Sequence, residues 1–295
     1  MELGRVGIWT HFETQPMARA QELAAEIESL GYGALWVPET AGRDALVSAA
    51  LLLGATTTLP LATGIAGIYG RDPVAMACGH KTIEEAFPNR FVLGLGVSHA
   101  PAVEGLRNKT YGPPLTAMRE YLDGMDAAPY FALEPTTPQT RVLAALGPRM
   151  LELARDRAAG AHPYFVPVEH TAIAREVLGP DALLAPEQMV VLETDAEKAR
   201  TIARRSMKMY LGLPNYVNNL FRLGWTEADV ADGGTDQLVD AIVAWGDEAA
   251  IRARVDAHHD AGADHVCIQV LGEDFFAPPV DAWRRLAPAL LEPPI

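Results

Sequence analysis

The chain has 295 residues, of which 49% are hydrophobic and 21% charged, so a disordered chain is excluded and one large domain or two ordinary ones can be built. The formal net charge is −14, which opposes binding to a polyanion such as DNA while leaving room for one local basic pocket that holds a phosphate.

The elements follow in chain order. Val6-Gly7-Ile8-Trp9 is a strand-like run. A helix is predicted over 16–30, with Ala20, Leu23, Ile27 and Leu30 on one face and Gly31 closing it. A second strand over 34–37 is stopped by Pro38. Asp44 caps a helix that runs to Leu53. A third strand spans 61–65, and the helix over 73–87 carries Pro73 in its first turn. A fourth strand covers 91–96. The second half keeps the rhythm: a helix over 115–125, a strand over 141–145, and a helix opened by Gly147-Pro148 that runs to 158. Strands over 161–166 and 188–192 precede helices over 168–178 and 196–210. Residues 215–245 read as extra helical material. A helix over 249–261 leads to an eighth strand over 265–270, and 279–291 closes the pattern.

Strands that alternate with helices pair in parallel, and near-continuous apolar strands need cover on both faces. An open doubly wound sheet would also satisfy the alternation, but eight successive units favour closure. The expected fold is an α/β (β/α)₈ TIM barrel. It forms one domain over 1–295, with a helical insertion near 212–246.

Cys78 and Cys267 show no metal-ligand spacing and are too few for a disulfide framework; two thiols in a reducing compartment are expected. His258 and His259 are adjacent on a helix and point apart, so no metal site is expected. Met1-Glu2-Leu3-Gly4-Arg5 has no signal-peptide pattern, and no apolar run approaches ~20 residues. The expectation is a cytoplasmic protein that does not touch membrane.

In a barrel of this kind the chemistry lies at the C-terminal ends of the strands. That rule selects Trp9 and His11 after strand one, Glu39 after strand two, and Ile65 to Arg71 after strand three. It also selects Val97, Ser98 and His99 after strand four, Leu146 and Gly147 after strand five, and Tyr164 near the end of strand six. Gly147-Pro148-Arg149 joins a strand end to a helix start, where free N–H groups and the helix dipole suit a phosphate and Arg149 adds charge. It also reads as a plain Gly-Pro turn. His99 and His11 titrate near neutrality and could move a proton, or serve as ordinary hydrogen-bonding loop residues. Gly94 and Gly96 make a weak dinucleotide fingerprint, since the third glycine is missing; glycines in a barrel strand more often admit a close neighbour.

Four segments together carry a family resemblance. They are Leu35-Trp36-Val37-Pro38-Glu39, Ala62-Thr63-Gly64-Ile65 through Arg71-Asp72-Pro73, Pro88-Asn89-Arg90-Phe91-Val92-Leu93-Gly94-Leu95-Gly96-Val97-Ser98-His99, and Gly160-Ala161-His162-Pro163-Tyr164. The chain resembles the luciferase-like monooxygenase superfamily, and within it the actinobacterial branch of deazaflavin (coenzyme F420)-dependent oxidoreductases. The resemblance implies a bacterial luciferase-like barrel that holds the ring against a bulge in strand three, with a non-prolyl cis peptide at Gly64-Ile65. It implies a phosphate site at Gly147, Pro148 and Arg149, and cofactor contacts from Trp9, Glu39, Gly64, Ile65, Ala66, Val97, Ser98 and Leu146. Tyr69 and Tyr164 would line the substrate pocket. It also suggests a homodimer.

Two positions depart from the branch. A histidine after strand two is replaced here by Glu39-Thr40, and a glutamate after strand four by His99. The stretch between Asp126 and Arg141 is short for the superfamily. The expected activity is hydride transfer between coenzyme F420 and a small organic substrate, with His99 as the proton donor or acceptor and Glu39 and His11 as weaker candidates. The alternatives are an FMN-dependent monooxygenase that uses reduced flavin and oxygen, and a non-catalytic binding protein on the same scaffold.

Overall fold

Short runs that are apolar on both faces become the strands. In the computed structural model, which describes residues 1, 3–274 and 277–291, β1 (Val6–Trp9) is buried at every position. α1 (Met17–Ser29) turns Ala20, Leu23, Ala24 and Ile27 inward, and β2 (Leu35–Val37) is again buried throughout. The Asp44 carboxylate accepts the Leu46 and Val47 N–H groups and starts α2 (Ala45–Leu53), the cap read from the sequence. Then come β3 (Leu61–Thr63), β4 (Ala66–Gly67), α3 (Pro73–Ala86), β5 (Phe91–Gly96), α4 (Ala100–Gly105), α5 (Pro114–Asp126) and β6 (Thr140–Leu143). α6 (Pro148–Arg157), β7 (Gly160–Ala161), α7 (Val168–Leu178), β8 (Leu183–Leu184), β9 (Glu187–Val191) and α8 (Ala196–Tyr210) follow. The remainder is α9 (Pro214–Arg222), α10 (Glu227–Val230), a 3₁₀ turn (Ala231–Gly233), α11 (Asp236–Ile242), β10 (Val243–Trp245), α12 (Glu248–Asp260), β11 (Val266–Val270) and α13 (Val280–Leu291).

The pairings are parallel and run β9-β11-β1-β2-β3-β5-β6-β7-β8, with β4 also on β5. β8 and β9 are successive stretches of one segment, parted only by Ala185 and Pro186. Across that join Ala185 N–H donates to Ala161 O (3.0 Å) and Glu187 N–H to Pro163 O (2.9 Å). The two ends of the sheet therefore meet, and the sheet closes into a TIM barrel with its helices outside. Inside the barrel Trp36, Ala62, Val92, Val142, Ala185 and Cys267 pack together. Trp36 Nε1–H donates to His265 Nε2 (3.0 Å), and His265 Nδ1–H passes to Gly4 O, so the buried indole and imidazole are both satisfied.

Three expectations need correction. Strand three does not run unbroken over 61–65: it ends at Thr63 and pairing resumes at Ala66. The sixth strand, expected over 161–166, pairs only at Gly160–Ala161, because Pro163 lacks an N–H and Phe165 sits in the left-handed region (φ +58°). The helical reading of 215–245 holds through Ile242, but Val243–Trp245 is a strand that pairs with β9, ended by Gly246 at φ +135°. α4 was not foreseen; six residues with a proline in the first turn leave little periodicity to read.

The glycine at position 94 is set by backbone proximity. A Cβ there would lie 1.9 Å from Thr63 O, and Thr63 Oγ1–H donates to Gly94 O (2.8 Å). Gly94→Ala must push β3 and β5 apart, and we expect it to lower the urea-unfolding free energy by at least ~1–3 kcal/mol. An unchanged midpoint at unchanged slope would contradict this close packing.

Candidate active site

The break in strand three shapes the mouth of the barrel. The Gly64-Ile65 peptide bond is cis. Gly64 N–H donates to Val37 O (2.8 Å), and Trp9 Nε1–H donates to Gly64 O (3.2 Å), so β1 and β2 hold the break from both sides. The half-exposed Ile65 lays its side chain over β5: a Cβ on Gly96 would lie 2.5 Å from Ile65 Cδ1, and one on Gly94 3.4 Å from Cγ2. The two glycines of Leu93-Gly94-Leu95-Gly96 thus clear the space the bulge fills. Ala66 pairs with Leu95 and is buried.

Glu39 serves this bulge from below. Its Oε2 accepts Gly67 N–H (2.7 Å), and Arg71 donates to both carboxylate oxygens (2.5 and 3.3 Å). Arg71 also reaches Asp44 (2.6 Å). The Arg71 pKa is raised: burial acts to lower it and is outweighed by the hydrogen bonds and charges of Glu39 and Asp44. The carboxylate is therefore fully engaged within the fold. The strand-end rule reached Arg71 as the last residue of the loop after strand three, but nothing in the sequence marked its pairing with Glu39.

Aromatic rings roof the mouth. Trp9 lies 5.2 Å from Tyr164. The Tyr164 hydroxyl donates to Gln269 Oε1 (2.7 Å) and meets the Tyr210 hydroxyl (2.6 Å). Tyr216 packs on Tyr164 (6.2 Å), Phe165 (5.5 Å) and His99 (5.5 Å). His99 follows Val97 and Ser98; Val97 packs on the core, and Ser98 turns at φ +57° and accepts the Tyr111 hydroxyl. His99 Nδ1 bonds Asn215 Oδ1 (3.1 Å), so Nδ1 carries the proton and Nε2 keeps its lone pair. Burial lowers the His99 pKa despite that bond, which favours the neutral ring. Tyr69 stands to one side, 5.9 Å from Tyr111 and accepting Gly112 N–H (3.1 Å). Asn215, Tyr210 and Tyr216 come from α8 and α9, which the sequence marked only as helix.

Beneath this roof two buried polar groups keep an unpartnered atom. His162 Nδ1–H donates to Ala185 O (2.7 Å), while Nε2 has no partner and faces Gly64. Glu187 Oε2 accepts Phe165 N–H (3.3 Å) and Oε1 has no partner. Burial pushes the Glu187 carboxyl up to about 8, so it is mostly protonated at neutral pH. An acidic residue at the start of β9, ahead of Met189-Val190-Val191, was the available signal for it.

Gly147 ends the strand-five turn and precedes α6, which has no side-chain cap; Pro148 takes the first helical position and Arg149 the second. Leu146 O accepts His170 Nε2–H (2.8 Å). His11 borders an open cleft between the ends of β1 and β11, shared with Trp9, Ser206 and Gln269. Among the described residues no group of three or more His, Cys, Asp or Glu could hold a metal ion, and no helix is long and apolar enough to cross a membrane.

A parallel barrel with a broken third strand, an arginine-braced bulge and an aromatic mouth defines a class that sequence comparison states directly. The model of the luciferase-like monooxygenases matches residues 1–265, and the chain belongs to that family. A Mycobacterium tuberculosis protein assigned as a coenzyme F420-dependent oxidoreductase is 26% identical over 326 aligned positions, covering 89% of this chain and 93% of the relative. The coenzyme F420-dependent tetrahydromethanopterin reductase of Methanopyrus kandleri has the same fold (TM-score 0.77, 16% identity, 99% of each chain). So has the oxygenating component of 3,6-diketocamphane monooxygenase of Pseudomonas putida, solved with FMN (TM-score 0.69, 14% identity, 96% of each chain). Proteins of this fold thus include users of either ring, and at these identities the two solved structures speak to the fold alone.

Proposed function

We propose that this protein is a coenzyme F420-dependent oxidoreductase that moves a hydride between the deazaflavin and a small organic substrate. The carrying observation is the strand-three bulge, with Ile65 laid over Gly94 and Gly96. The choice of ring rests on the mycobacterial relative. When bound, such a ring supplies the hydride chemistry without activating oxygen.

The residues present fit such a cofactor. Ile65 and Ala66 form the backing for the ring, and Trp9 holds Gly64 in place. The uncapped start of α6 at Gly147, Pro148 and Arg149 suits its phosphate. Val97, Ser98 and Leu146 border the space between these two ends. Tyr164, and more distantly Tyr69, bound the substrate side and exclude water. His99 Nε2, with its lone pair free and its Nδ1 proton held by Asn215, takes or returns the substrate proton. Glu39 acts by bracing the bulge, and His11 borders the cleft at the ends of β1 and β11.

Titration of the purified protein with coenzyme F420 and with FMN, followed by ring fluorescence, tests this. Saturable F420 binding with FMN at least ~10-fold weaker supports the proposal; each tenfold is about 1.4 kcal/mol of preference. The reverse order makes the protein an FMN-dependent monooxygenase, and binding of neither ring overturns both.

A further inference from the structure

The open cleft between the ends of β1 and β11 is walled by hydrogen-bonding groups that the fold leaves unused. Thr10, Ser206 and Gln269 border it and are 8%, 7% and 6% exposed. Gln269 gives its Oε1 to the Tyr164 hydroxyl (2.7 Å), which leaves both N–H bonds of its Nε2 over. A helix serine or threonine commonly returns its hydroxyl to the carbonyl four residues back, as Thr201 does to Glu197 O (2.8 Å). Ser206 of the same helix makes no such bond among the described residues. Buried polar atoms are as a rule partnered. Those sealed inside the described fold without a partner do not include Thr10 Oγ1, Ser206 Oγ or Gln269 Nε2, so all three open on the cleft.

Arg205 supplies the charge. It precedes Ser206 on α8 and borders the same cleft. Its Nη1–H donates to Glu273 O, between two lining residues of the loop after β11, and this bond fixes the plane of the guanidinium. Nε and Nη2 have no partner among the described residues, and no carboxylate pairs with the group, whereas Arg200 and Arg204 of the same helix sit on aspartates. Asp274 is the one acid on the lining. Trp9 forms part of the wall, and its indole N–H holds Gly64 O of the bulge (3.2 Å) while its ring stands 5.2 Å from Tyr164. The cleft and the mouth of the barrel therefore share a wall.

We infer that this cleft anchors the substrate by a carboxylate, held by Arg205 and by the Thr10, Ser206 and Gln269 donors. The inference rests on the hydride-transfer reading for the ligand's being a substrate. A planar guanidinium edge, two hydroxyls and an amide N–H₂ suit an acceptor with two oxygens and about four lone-pair sites. A cation is opposed by Arg205, and a neutral hydroxyl leaves most of these donors unused. An acid anchored here reaches the bulge past Trp9 and Tyr164. The substrate class is therefore a small organic acid whose reacting carbon is separate from its carboxylate.

Calorimetric titration with propionate and with its neutral isostere propionamide tests the subsite, on the protein alone and on the protein mixed with F420 or FMN. Wild type binds propionate at least about tenfold more tightly than propionamide, whether or not a ring is bound. Arg205→Gln loses that preference, and Arg205→Lys keeps part of it as a point charge. Thr10→Val and Ser206→Ala each weaken propionate by about two- to tenfold. Asp274→Asn, which removes the one acid from the lining, tightens it. Arg155→Gln, an exposed arginine at the far end of α6, changes nothing. Arg205 is exposed and its side chain makes one hydrogen bond, so its variants keep the fold. Propionate held equally by wild type and Arg205→Gln, or no more tightly than propionamide, overturns the subsite. Propionate displaced by F420 assigns the cleft to the cofactor and overturns it as well. A ring bound without any preference for propionate removes the subsite and leaves the hydride-transfer reading. An Arg205-dependent preference in a protein that binds neither ring removes that reading and leaves an acid-binding cleft.

Discussion

Replacing His99 with alanine lowers turnover with F420 by about 10²–10⁴-fold while cofactor affinity stays near wild type, the range expected when a positioned acid–base group is lost. The basis is its Nε2 lone pair at the barrel mouth and the Asn215 bond that fixes the tautomer. The sign of the pH dependence follows from burial, which lowers the imidazole pKa below its usual 6.5. The neutral ring accepts a proton, so for substrate oxidation the acid limb of kcat lies below pH 6.5 and activity falls as pH drops through it. In the alanine variant that limb vanishes. Turnover and limb both unchanged would remove His99 from the reaction.

Arg71→Ala is expected to cost about 3–5 kcal/mol of unfolding free energy, because it strands a buried carboxylate. The Glu39 side chain is 5% exposed and that of Arg71 12%. Without Arg71, Glu39 keeps the Gly67 N–H but no countercharge. Replacing both, as Arg71→Met with Glu39→Leu, should recover much of the loss, since well-packed apolar groups often substitute for a buried pair. Because the same carboxylate pins Gly67 beside the bulge, the single variant should also bind cofactor more weakly. Urea midpoints for the single and double variants decide the matter: a single variant within ~1 kcal/mol of wild type would mean that the pair is as dispensable as a surface one.

The βα rhythm was legible because parallel strands are apolar on both faces and their helices carry a 3.6-residue stripe; Asp44, Pro73 and Gly147 marked boundaries where the structure has them. What failed was local geometry set by distant partners. Val243–Trp245 is too short to show a period and is a strand only because β9 offers an edge. The sixth strand was read too long because Tyr164, Phe165 and Val166 are good strand formers, whereas Pro163 and the left-handed Phe165 end the pairing. The strand-end rule chose residues that follow strand ends but could not sort them by duty. Glu39 reads from the sequence as an acid–base candidate, while in the fold Arg71, 32 residues further on, pairs with its carboxylate. Asn215 and Tyr216 reach the site from a helical stretch with no motif, and only folding brings them there.

The closing of the barrel also has a history in time. β1 lies between β2 and β11, with Val6 opposite Val266. A ribosome adding about 5–20 residues per second takes roughly 15–50 s to pass from one partner to the other. Throughout that interval the growing chain carries an open sheet whose first strand has one bare edge, the kind of edge that recruits strands from neighbouring chains. Yield in the cell therefore depends on how well that edge is shielded until Val266 emerges, so the seam can limit how much protein is made without altering how stable the finished barrel is.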